Sequence, residues 1–344
     1  MISLPKKSNG FDQRTLIGFI ILIIILYSVF SVIYYNRVKN VFAQSTAVRL
    51  DGLATIQKNR TLDYIANNQD SLQVLLRSQD LITLVQNVIL NKGTSTSATS
   101  GSSANVLLNS FLNNARFDRP GIRNISVLDT NGVVIASTDQ TQVGLNDAQQ
   151  KFFYKGQYKP DVGTFFKDKN GFIGLYLTGP LISNNQHIGV IVLEKDAQGV
   201  FALFNDNAGL GTTGQWGLGI KNDNGDGLAV VLGRFNKTPN ASLNLTISKT
   251  NTRTPIIRAI NGEEGVTLGE KDPYGVPVVS ATRFISETGW GIILKIPEAE
   301  VFQPLTQLRN FLFIVFSLLM ALFTVYILNI IRFKYVIKSD SIEQ

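Results

Sequence analysis

The chain has 344 residues, no cysteine and one histidine, with 32 basic and 25 acidic side chains and a formal net charge of +7. Without cysteine it cannot be a disulfide-stapled scaffold, and one histidine alone excludes the usual zinc sites and Ser-His or Cys-His catalytic pairs. The positive charge is dilute along the chain, so we expect no nucleic-acid binding.

Two uncharged apolar runs, residues 15–35 and 311–331, lie near the chain ends. Each is long enough to cross a ~30 Å hydrocarbon core as a helix, and we predict two transmembrane helices. A cleaved secretory signal is the alternative for the first run. Its apolar part is longer than the ~7–15 residues of a signal peptide, which favours the spanning helix.

The flanks of the two runs predict their orientation. Cytoplasmic flanks of spans carry an excess of Lys and Arg. Both outer flanks are basic, with Lys6, Lys7 and Arg14 before the first run and Arg332, Lys334 and Lys338 after the second. We therefore predict a protein of the bacterial inner (plasma) membrane, with both termini in the cytoplasm and residues 36–308 outside it.

Residues 36–90 contain no proline and one glycine, and their apolar residues recur at three- and four-residue steps. This pattern predicts a long stalk helix, broken once near residues 67–70, which offers a seam for a second copy of the chain. A homodimer is therefore expected. A polar Gly/Ser/Thr loop at residues 91–105 and a helix over residues 105–116 follow.

From residue 122 the pattern changes to strands, which predicts an α+β fold. "ISVLDTNGVVIAST" reads as two strands around an Asn131-Gly132 turn, and "GFIGLYLTGPLI" with "HIGVIVLEKD" reads as a second hairpin. A connecting helix at residues 197–206 precedes a fainter copy of the same plan, which ends in a hairpin of "VPVVSATRFI" and "WGIILKIPE".

This order of elements resembles the double Cache sensor domains of bacterial chemoreceptors, sensor histidine kinases and diguanylate cyclases. The resemblance is carried by "VLDTNGVVIAST" and "VGLN" in the first unit, "GLGTTGQW" at the junction, and "INGEEG", "DPYGVPVVSATRFI" and "GWGIILKIPEAEVFQPL" in the second. It implies two PAS-like units on a stalk helix, with the last strand leading through Pro297 into a helix, residues 298–309, continuous with the second span.

The expected organisation is cytoplasmic tail 1–14, transmembrane helix 15–35, stalk helix 36–90, distal Cache unit 91–206, proximal Cache unit 207–298, connecting helix 299–310, transmembrane helix 311–331 and cytoplasmic tail 332–344. The resemblance implies a membrane-anchored sensor of a small molecule bound in the distal unit. Residues 332–344 contain no output domain, so the chain is either a truncated receptor or a sensor that signals through a separate cytoplasmic partner.

The resemblance also implies where a ligand binds. Amino-acid-binding relatives hold the ligand carboxylate with an arginine and its ammonium with acids. Here Gln150 stands in the place of that arginine, whereas Asp168 and Glu194 match the acids. We therefore expect an amine or a neutral polar ligand rather than an α-amino acid, or no ligand at all. The candidate site residues are Gln150, Phe152, Phe153, Tyr158, Phe166, Asp168, Tyr176 and Glu194.

No sequence motif indicates an enzyme, a cofactor or a metal. The Asn222 to Gly227 stretch begins like a calcium loop, but Gly233 stands where the closing carboxylate is needed, so we predict a hairpin turn. Two alternatives to the sensor remain open. A structural or adhesion-type membrane protein with the same fold predicts an occluded, apolar distal cavity, and an extracytoplasmic hydrolase requires two carboxylates facing one cleft.

Overall fold

The computed structural model describes residues 13–94, 103–231 and 243–340. It divides into two compact units, one of residues 1–48 with 298–344 and one of residues 49–297. Most of the predicted Gly/Ser/Thr loop, residues 95–102, and most of the N-terminal tail, residues 1–12, lie outside the described residues.

The first helix, α1 (Gln13–Leu76), is one uninterrupted element of 64 residues, and α2 (Gln79–Thr94) follows it after a short turn. The predicted break near residues 67–70 is wrong, because the helix continues through them. Asn68 contributes to this continuity by donating from Nδ2 to the carbonyl of Tyr64 at 2.7 Å. The break falls at residues 77–78 instead, where Ser78 Oγ accepts a hydrogen bond from the Leu81 N–H and begins α2.

The smaller unit contains the start of α1, the short α7 (Glu298–Val301) and α8 (Gln303–Asp340). The predicted continuous helix over residues 298–309 is wrong, because it is interrupted at Phe302. Pro304 explains the interruption, since its ring and missing N–H are tolerated in a first helical turn but not in a helix interior. Within this unit, Tyr27 stacks on Phe316 with ring centroids 5.2 Å apart.

Among the described residues, two helices are long and apolar enough to cross a membrane, over residues 21–76 and 303–329. The apolar side chains of residues 21–34 and 311–328 are largely exposed to the surroundings of the chain, as expected of helices that lie in hydrocarbon.

The first half of the larger unit is a five-stranded antiparallel sheet in the order β2-β1-β5-β4-β3. Its strands are β1 (Ile122–Leu128), β2 (Val134–Ser137), β3 (Asp161–Lys167), β4 (Ile173–Ser183) and β5 (Gln186–Asp196). We call this sheet, with α3 (Ser103–Phe117), α4 (Lys151–Gly156) and α5 (Gln198–Leu203), the distal half. The strand β3 is an edge of the sheet.

Both predicted distal hairpins are confirmed, and their turns have local causes. Asp129 Oδ1 accepts hydrogen bonds from the N–H groups of Asn131 and Val133, each at 3.0 Å, and closes the first turn. Asn184 and Asn185 both have positive φ, 49° and 61°, in the second turn. That is the type I′ geometry that matches the twist of a two-residue hairpin.

The second half of the larger unit is a six-stranded antiparallel sheet in the order β8-β7-β6-β11-β10-β9. Its strands are β6 (Gln215–Lys221), β7 (Gly227–Val231), β8 (Thr246–Ile247), β9 (Gly265–Lys271), β10 (Pro277–Ile285) and β11 (Trp290–Pro297). We call it, with α6 (Pro255–Ile260), the proximal half. The predicted hairpin at residues 222–227 is confirmed, since Asn222 Oδ1 accepts from the N–H groups of Asn224 and Asp226.

The proximal sheet is fixed to α1 by polar contacts. The Arg283 side chain is 8% exposed, and its Nη2 donates to Asp51 Oδ1 at 2.7 Å and to Thr55 Oγ1 at 2.8 Å. Lys58 forms a 2.7 Å ion pair with Glu264 beside it. Charge-assisted bonds of this kind fix the rotation of the helix against the sheet more closely than apolar packing alone.

Candidate functional site

A groove with a volume of about 860 Å³ runs along the β3 edge of the distal sheet. The consecutive residues 163–168 of β3 and its following turn form one side, and α4 with inward-facing residues of β4 and β5 forms the floor. The opposite wall comes from the proximal half, at residues 220–223 and 288–289. The volume is within the range of about 300–1,000 Å³ typical of small-molecule sites.

A row of cross-strand partners leads into this groove, and its last three members, Glu194, Tyr176 and Thr164, line it. Asn124 pairs with Glu194, Glu194 pairs with Tyr176, and Tyr176 pairs with Thr164, across β1, β5, β4 and β3. Directly paired residues of an antiparallel sheet lie on the same face. The sheet register therefore aligns an amide, a carboxylate, a phenol and a hydroxyl on the face that α4 covers.

The Glu194 carboxylate is held in place by two amides. Its Oε1 accepts hydrogen bonds from Asn124 Nδ2 at 3.2 Å and from Gln142 Nε2 at 3.1 Å. Asn124 is itself fixed, because its Oδ1 accepts from Ser137 Oγ at 3.0 Å and Thr138 Oγ1 at 2.6 Å. Among the residues that the structure describes, none donates to Glu194 Oε2. One carboxylate oxygen is therefore oriented, and the other receives no hydrogen bond from the described residues.

Three aromatic rings stand beside this carboxylate. The Tyr176 ring lies between Phe152, at a centroid distance of 4.2 Å, and Phe166, at 4.3 Å. Aromatic faces carry negative electrostatic potential and attract cations placed over them. Burial, followed by the charges of Glu194 and Asp147, raises the pKa of Tyr176, so its hydroxyl stays protonated at neutral pH.

Asp147 adds a second carboxylate, which the sequence analysis did not single out. Burial, followed by the charge of Glu194, raises the pKa of Asp147 above its ordinary value of 3.8. Within the described ranges its side chain has neither a hydrogen-bond donor nor a basic partner. The structure thus brings two acids close enough to repel each other without a protein cation between them.

Four described lysines line the groove, and two of them, Lys151 and Lys155, have acidic neighbours. Lys155 Nζ lies 3.3 Å from Asp161 Oδ1, and Lys151 Nζ lies 3.1 Å from Asp223 Oδ1 across the two halves. The second pair is exposed and contributes little free energy. None of the described residues that line the groove is an arginine, so a forked guanidinium grip on a carboxylate is missing there.

Six of the eight candidate residues line the groove, namely Gln150, Phe152, Phe166, Asp168, Tyr176 and Glu194. The other two lie elsewhere. Phe153 is 2% exposed and packs in the distal core with Leu128 and Val192, and Tyr158 is 71% exposed. Although Asp168 lines the groove, its Oδ1 accepts from the N–H groups of Asn170 and Phe172 and is occupied by the hairpin turn.

Sequence reasoning missed Asn124, Gln142, Asp147 and the whole proximal wall. Asn124 and Gln142 are distant in sequence from Glu194, and only the sheet register brings the three together. Asp147 lies three residues before Gln150, in a polar stretch that gave no reason to choose it. A local pattern contains no signal for contacts of this kind.

A second cavity, of about 330 Å³, lies between α1 and α8 in the smaller unit. Its lining includes Tyr27, Val32, Leu312 and Phe316 and is almost entirely apolar. It has no carboxylate or other charged group besides Arg309, and we attribute it to packing of the apolar helices. Across the described parts of the chain, no group of three or more His, Cys, Asp or Glu side chains is arranged to hold a metal ion.

No protein-family model matches the sequence, and no curated protein matches it either. Solved structures are similar in fold. They include the sensory domain of the Campylobacter jejuni chemoreceptor Tlp3 (CcmL) with isoleucine bound, at 14% identity and a TM-score of 0.51, covering 77% of this chain and 97% of that one. The Tlp3 ligand-binding domain in complex with L-norvaline gives 13% identity, a TM-score of 0.51 and coverage of 76% and 94%.

An extracellular domain assigned to a histidine kinase, vpHK1S-Z8, gives 14% identity and a TM-score of 0.50, covering 78% of this chain and 99% of that one. At such identities the similarity concerns the fold. It covers about three quarters of this chain and nearly all of each of those domains. The chain therefore has the double Cache fold found in the sensor domains of histidine kinases and chemoreceptors.

Proposed function

We propose that this chain is a membrane-anchored, non-catalytic sensor module whose groove binds a small organic cation carrying an ammonium group. The observation that carries this proposal is the Glu194 carboxylate, held through Oε1 by two amides, in a groove that the rings of Phe152, Phe166 and Tyr176 also line. Asp147 does not line the groove, but its charge adds to the negative potential near Glu194. A cation bound there relieves the repulsion between the acids and gains the attraction of the aromatic faces.

The charges around the groove favour a cation over an anion. A partly buried carboxylate is unfavourable until it is paired, whereas Lys151 and Lys155 already have Asp223 and Asp161 as partners. A ligand ammonium at Glu194 Oε2 completes the hydrogen bonding of a carboxylate that two amides hold in position. A ligand carboxylate would meet Lys167 and Lys221, but it finds no arginine among the described residues that line the groove.

The same reasoning separates this chain from an α-amino acid receptor. The Tlp3 sensory domain has been solved with isoleucine bound. In the present groove Gln150 is exposed at the start of α4, in the position where the resemblance places an arginine. An amide is a weaker partner for a carboxylate than a guanidinium. We therefore propose an amine without an α-carboxylate.

The membrane topology is also part of the proposal. Two helices of sufficient length and hydropathy support a two-span protein, and the basic flanks support cytoplasmic ends with residues 36–308 outside the cytoplasm. The chain has no cysteine, so single cysteines introduced at position 6 and at the exposed Tyr158 can be tested on whole cells with a membrane-impermeant maleimide. We expect only the cysteine at position 158 to be labelled. Labelling of only the cysteine at position 6 would show that the orientation is the reverse of the one proposed.

The ligand class can be tested by thermal shift on the full chain in detergent, against amines, amino acids, organic acids, purines and sugars. A ligand at a hundredfold excess over its dissociation constant stabilises by ~2.7 kcal/mol. We expect amines alone to raise the Tm, and Glu194→Gln to abolish the shift. Tyr158→Phe, outside the groove, is the matched control and retains it.

A panel in which no amine shifts the Tm, or a shift that survives Glu194→Gln, contradicts the cation site. The structural or adhesion-type alternative required an occluded, apolar distal cavity, whereas the groove is wide and lined by polar groups. This contrast favours the sensor over the structural alternative. The hydrolase alternative required two carboxylates facing one cleft; Glu194 and Asp168 both line the groove, but Asp168 Oδ1 is engaged by the N–H groups of its hairpin turn. The homodimer and the separate cytoplasmic signalling partner stay predictions.

A further inference from the structure

Trp290 joins the two halves of the larger unit. It is the first residue of β11, it is fully buried, and its indole Nε1 donates to the carbonyl oxygen of Gly163 in β3 at 3.1 Å. Its ring also packs on Phe165, with centroids 5.0 Å apart. An edge strand of the distal sheet is thus attached to a central strand of the proximal sheet through one side chain.

The backbone of β3 is shaped to accept this indole. The strand has an irregularity between Val162 and Thr164, and Gly163 adopts a φ of +130°, which is strained for any other residue. A Cβ at position 163 would lie 3.1 Å from Trp290 Nε1 and from Thr288 Cβ. Glycine therefore allows both the bulge and the close approach, and we call this contact the Trp290 joint.

The joint borders the groove on both sides. Gly163 and Phe165 line the groove from β3, and Thr288 and Gly289, the two residues that precede Trp290, line it from the proximal half. In the other direction β11 runs from Trp290 to Pro297, and α7 begins at the next residue. The strand β11 therefore connects the groove wall directly to α7, which is followed by α8 with the second apolar run.

We propose that Trp290 is the positioning residue that transmits occupancy of the groove from β3 to β11. This inference rests on the proposed sensory function. An occupant changes β11 only if it favours one placement of β3 over another, because a ligand with equal affinity for two arrangements shifts neither. The joint supplies the mechanical connection, since a displaced Gly163 carbonyl takes with it the indole that hydrogen-bonds to it.

The test uses a covalent occupant, so it does not depend on knowing the natural ligand. Gln150→Cys introduces the only thiol of the chain at an exposed groove residue whose side chain makes no capping hydrogen bond. Labelling with 2-aminoethyl methanethiosulfonate then tethers an ammonium group in the groove. Tyr158→Cys, labelled in the same way outside the groove, is the control.

The readout is amide hydrogen exchange of the full chain in detergent, which reports local opening strand by strand. In the Gln150→Cys protein, labelling is expected to change exchange in both β3 and β11, on the order of fivefold, a factor at the low end of allosteric couplings. Adding Trp290→Phe, which keeps a ring but removes the N–H, should preserve the change in β3 and abolish that in β11. A purely structural tryptophan would alter β11 equally with and without the label.

The inference is overturned if labelling changes amide exchange in β11 equally with and without Trp290→Phe. It is also overturned if labelling of the Gln150→Cys protein leaves amide exchange in β11 unchanged. If Trp290→Phe does not fold, Gly163→Ala interferes with the same joint from β3. Intrinsic fluorescence gives an independent reading, because Trp216→Phe leaves Trp290 as the only tryptophan. Its emission should shift on labelling at residue 150 and stay constant on labelling at residue 158. Failure of the amine screen together with a positive tether result would refute the ligand class and leave the joint intact.

Discussion

Replacing Asp147 by asparagine should stabilise the unliganded protein while weakening its binding of amines. The substitution is nearly isosteric, and no described residue donates a hydrogen bond to the Asp147 carboxylate, so no native bond is lost. The substitution removes the desolvation of a half-buried charge and the repulsion from Glu194, which are the two causes that raise the Asp147 pKa. A residue that destabilises the unliganded protein and stabilises the ligand-bound protein is expected at a binding site.

The size and pH dependence follow from the same environment. Asp147 is half-buried and solvent screens the pair, so the gain should stay within about 1 kcal/mol, the upper range for exposed charge pairs. For a unit of this size that corresponds to roughly 2–4 °C in Tm. A carboxyl with a raised pKa favours folding below its ordinary value of 3.8, and this advantage is lost as pH rises through the raised value. The gain from Asp147→Asn is therefore present at pH 7 and shrinks towards pH 4.

The assay is thermal unfolding of both proteins at pH 7 and pH 4, with and without an amine that binds. Asp168→Asn is the matched control, because its amide oxygen can still accept the two backbone hydrogen bonds while the ion pair with Arg123, 3.6 Å away, is lost. It should lower the Tm. The reasoning is refuted if Asp147→Asn lowers the Tm at pH 7, or if its gain is equal at the two pH values.

Three further substitutions test the scaffold around the groove by urea unfolding. Arg283→Met should cost about 2–3 kcal/mol, because it removes charge-assisted bonds to Asp51 in α1, and an unchanged midpoint would show that these bonds contribute nothing net. Lys295→Met should cost about 3–5 kcal/mol, since it leaves the buried Asp272 carboxylate, now 2.7 Å from Lys295 Nζ, without a cation. Gly291→Ala should cost about 1–3 kcal/mol, because its Cβ would lie 2.7 Å from a backbone nitrogen of α6. Gly275→Ala is the comparison: its Cβ has open space around it but its φ is +82°, so this variant measures the cost of backbone strain alone.

The elements that local patterns determine were predictable from the sequence. The two apolar runs and the Asn131-Gly132 hairpin depend on residues within a few positions of each other, so composition and turn chemistry were enough to identify them. The resemblance then supplied the arrangement of the two halves. The structure agrees with the fold class on each of these points.

The two misplaced helix breaks arose from contacts that local propensity does not include. Residues 67–70 have weak helix propensity, but Asn68 Oδ1 accepts a hydrogen bond from Lys195 of β5, a partner 127 residues away, which helps to hold that turn in the helix. At the other end, the predicted continuous helix ignored the first-turn preference of Pro304, which was visible in the sequence and not used.

The candidate site was predictable only in part, for two physical reasons. Phe152 and Phe153 were chosen together, but neighbours on a short helix point in different directions. Both belong to one buried cluster, and only Phe152 also lines the groove. The polar residues that orient Glu194 come from β1 and from the turn after β2, so they become neighbours only once the strands are in register.

The continuity of α1 from Gln13 to Leu76 restricts how the length of this chain can change in evolution or design. Each residue of an α-helix contributes about 100° of rotation and ~1.5 Å of rise. Deleting one residue anywhere between the first apolar run and Asp51 would therefore turn the Arg283-binding side of the helix by almost a third of a revolution relative to that run. Deleting seven would restore its direction to within about 20°. Deleting eleven would do so equally well, and about eighteen complete five full turns. Functional length variants of this segment should consequently differ by about 7, 11 or 18 residues, because these numbers preserve the rotation of the helix although they change its length.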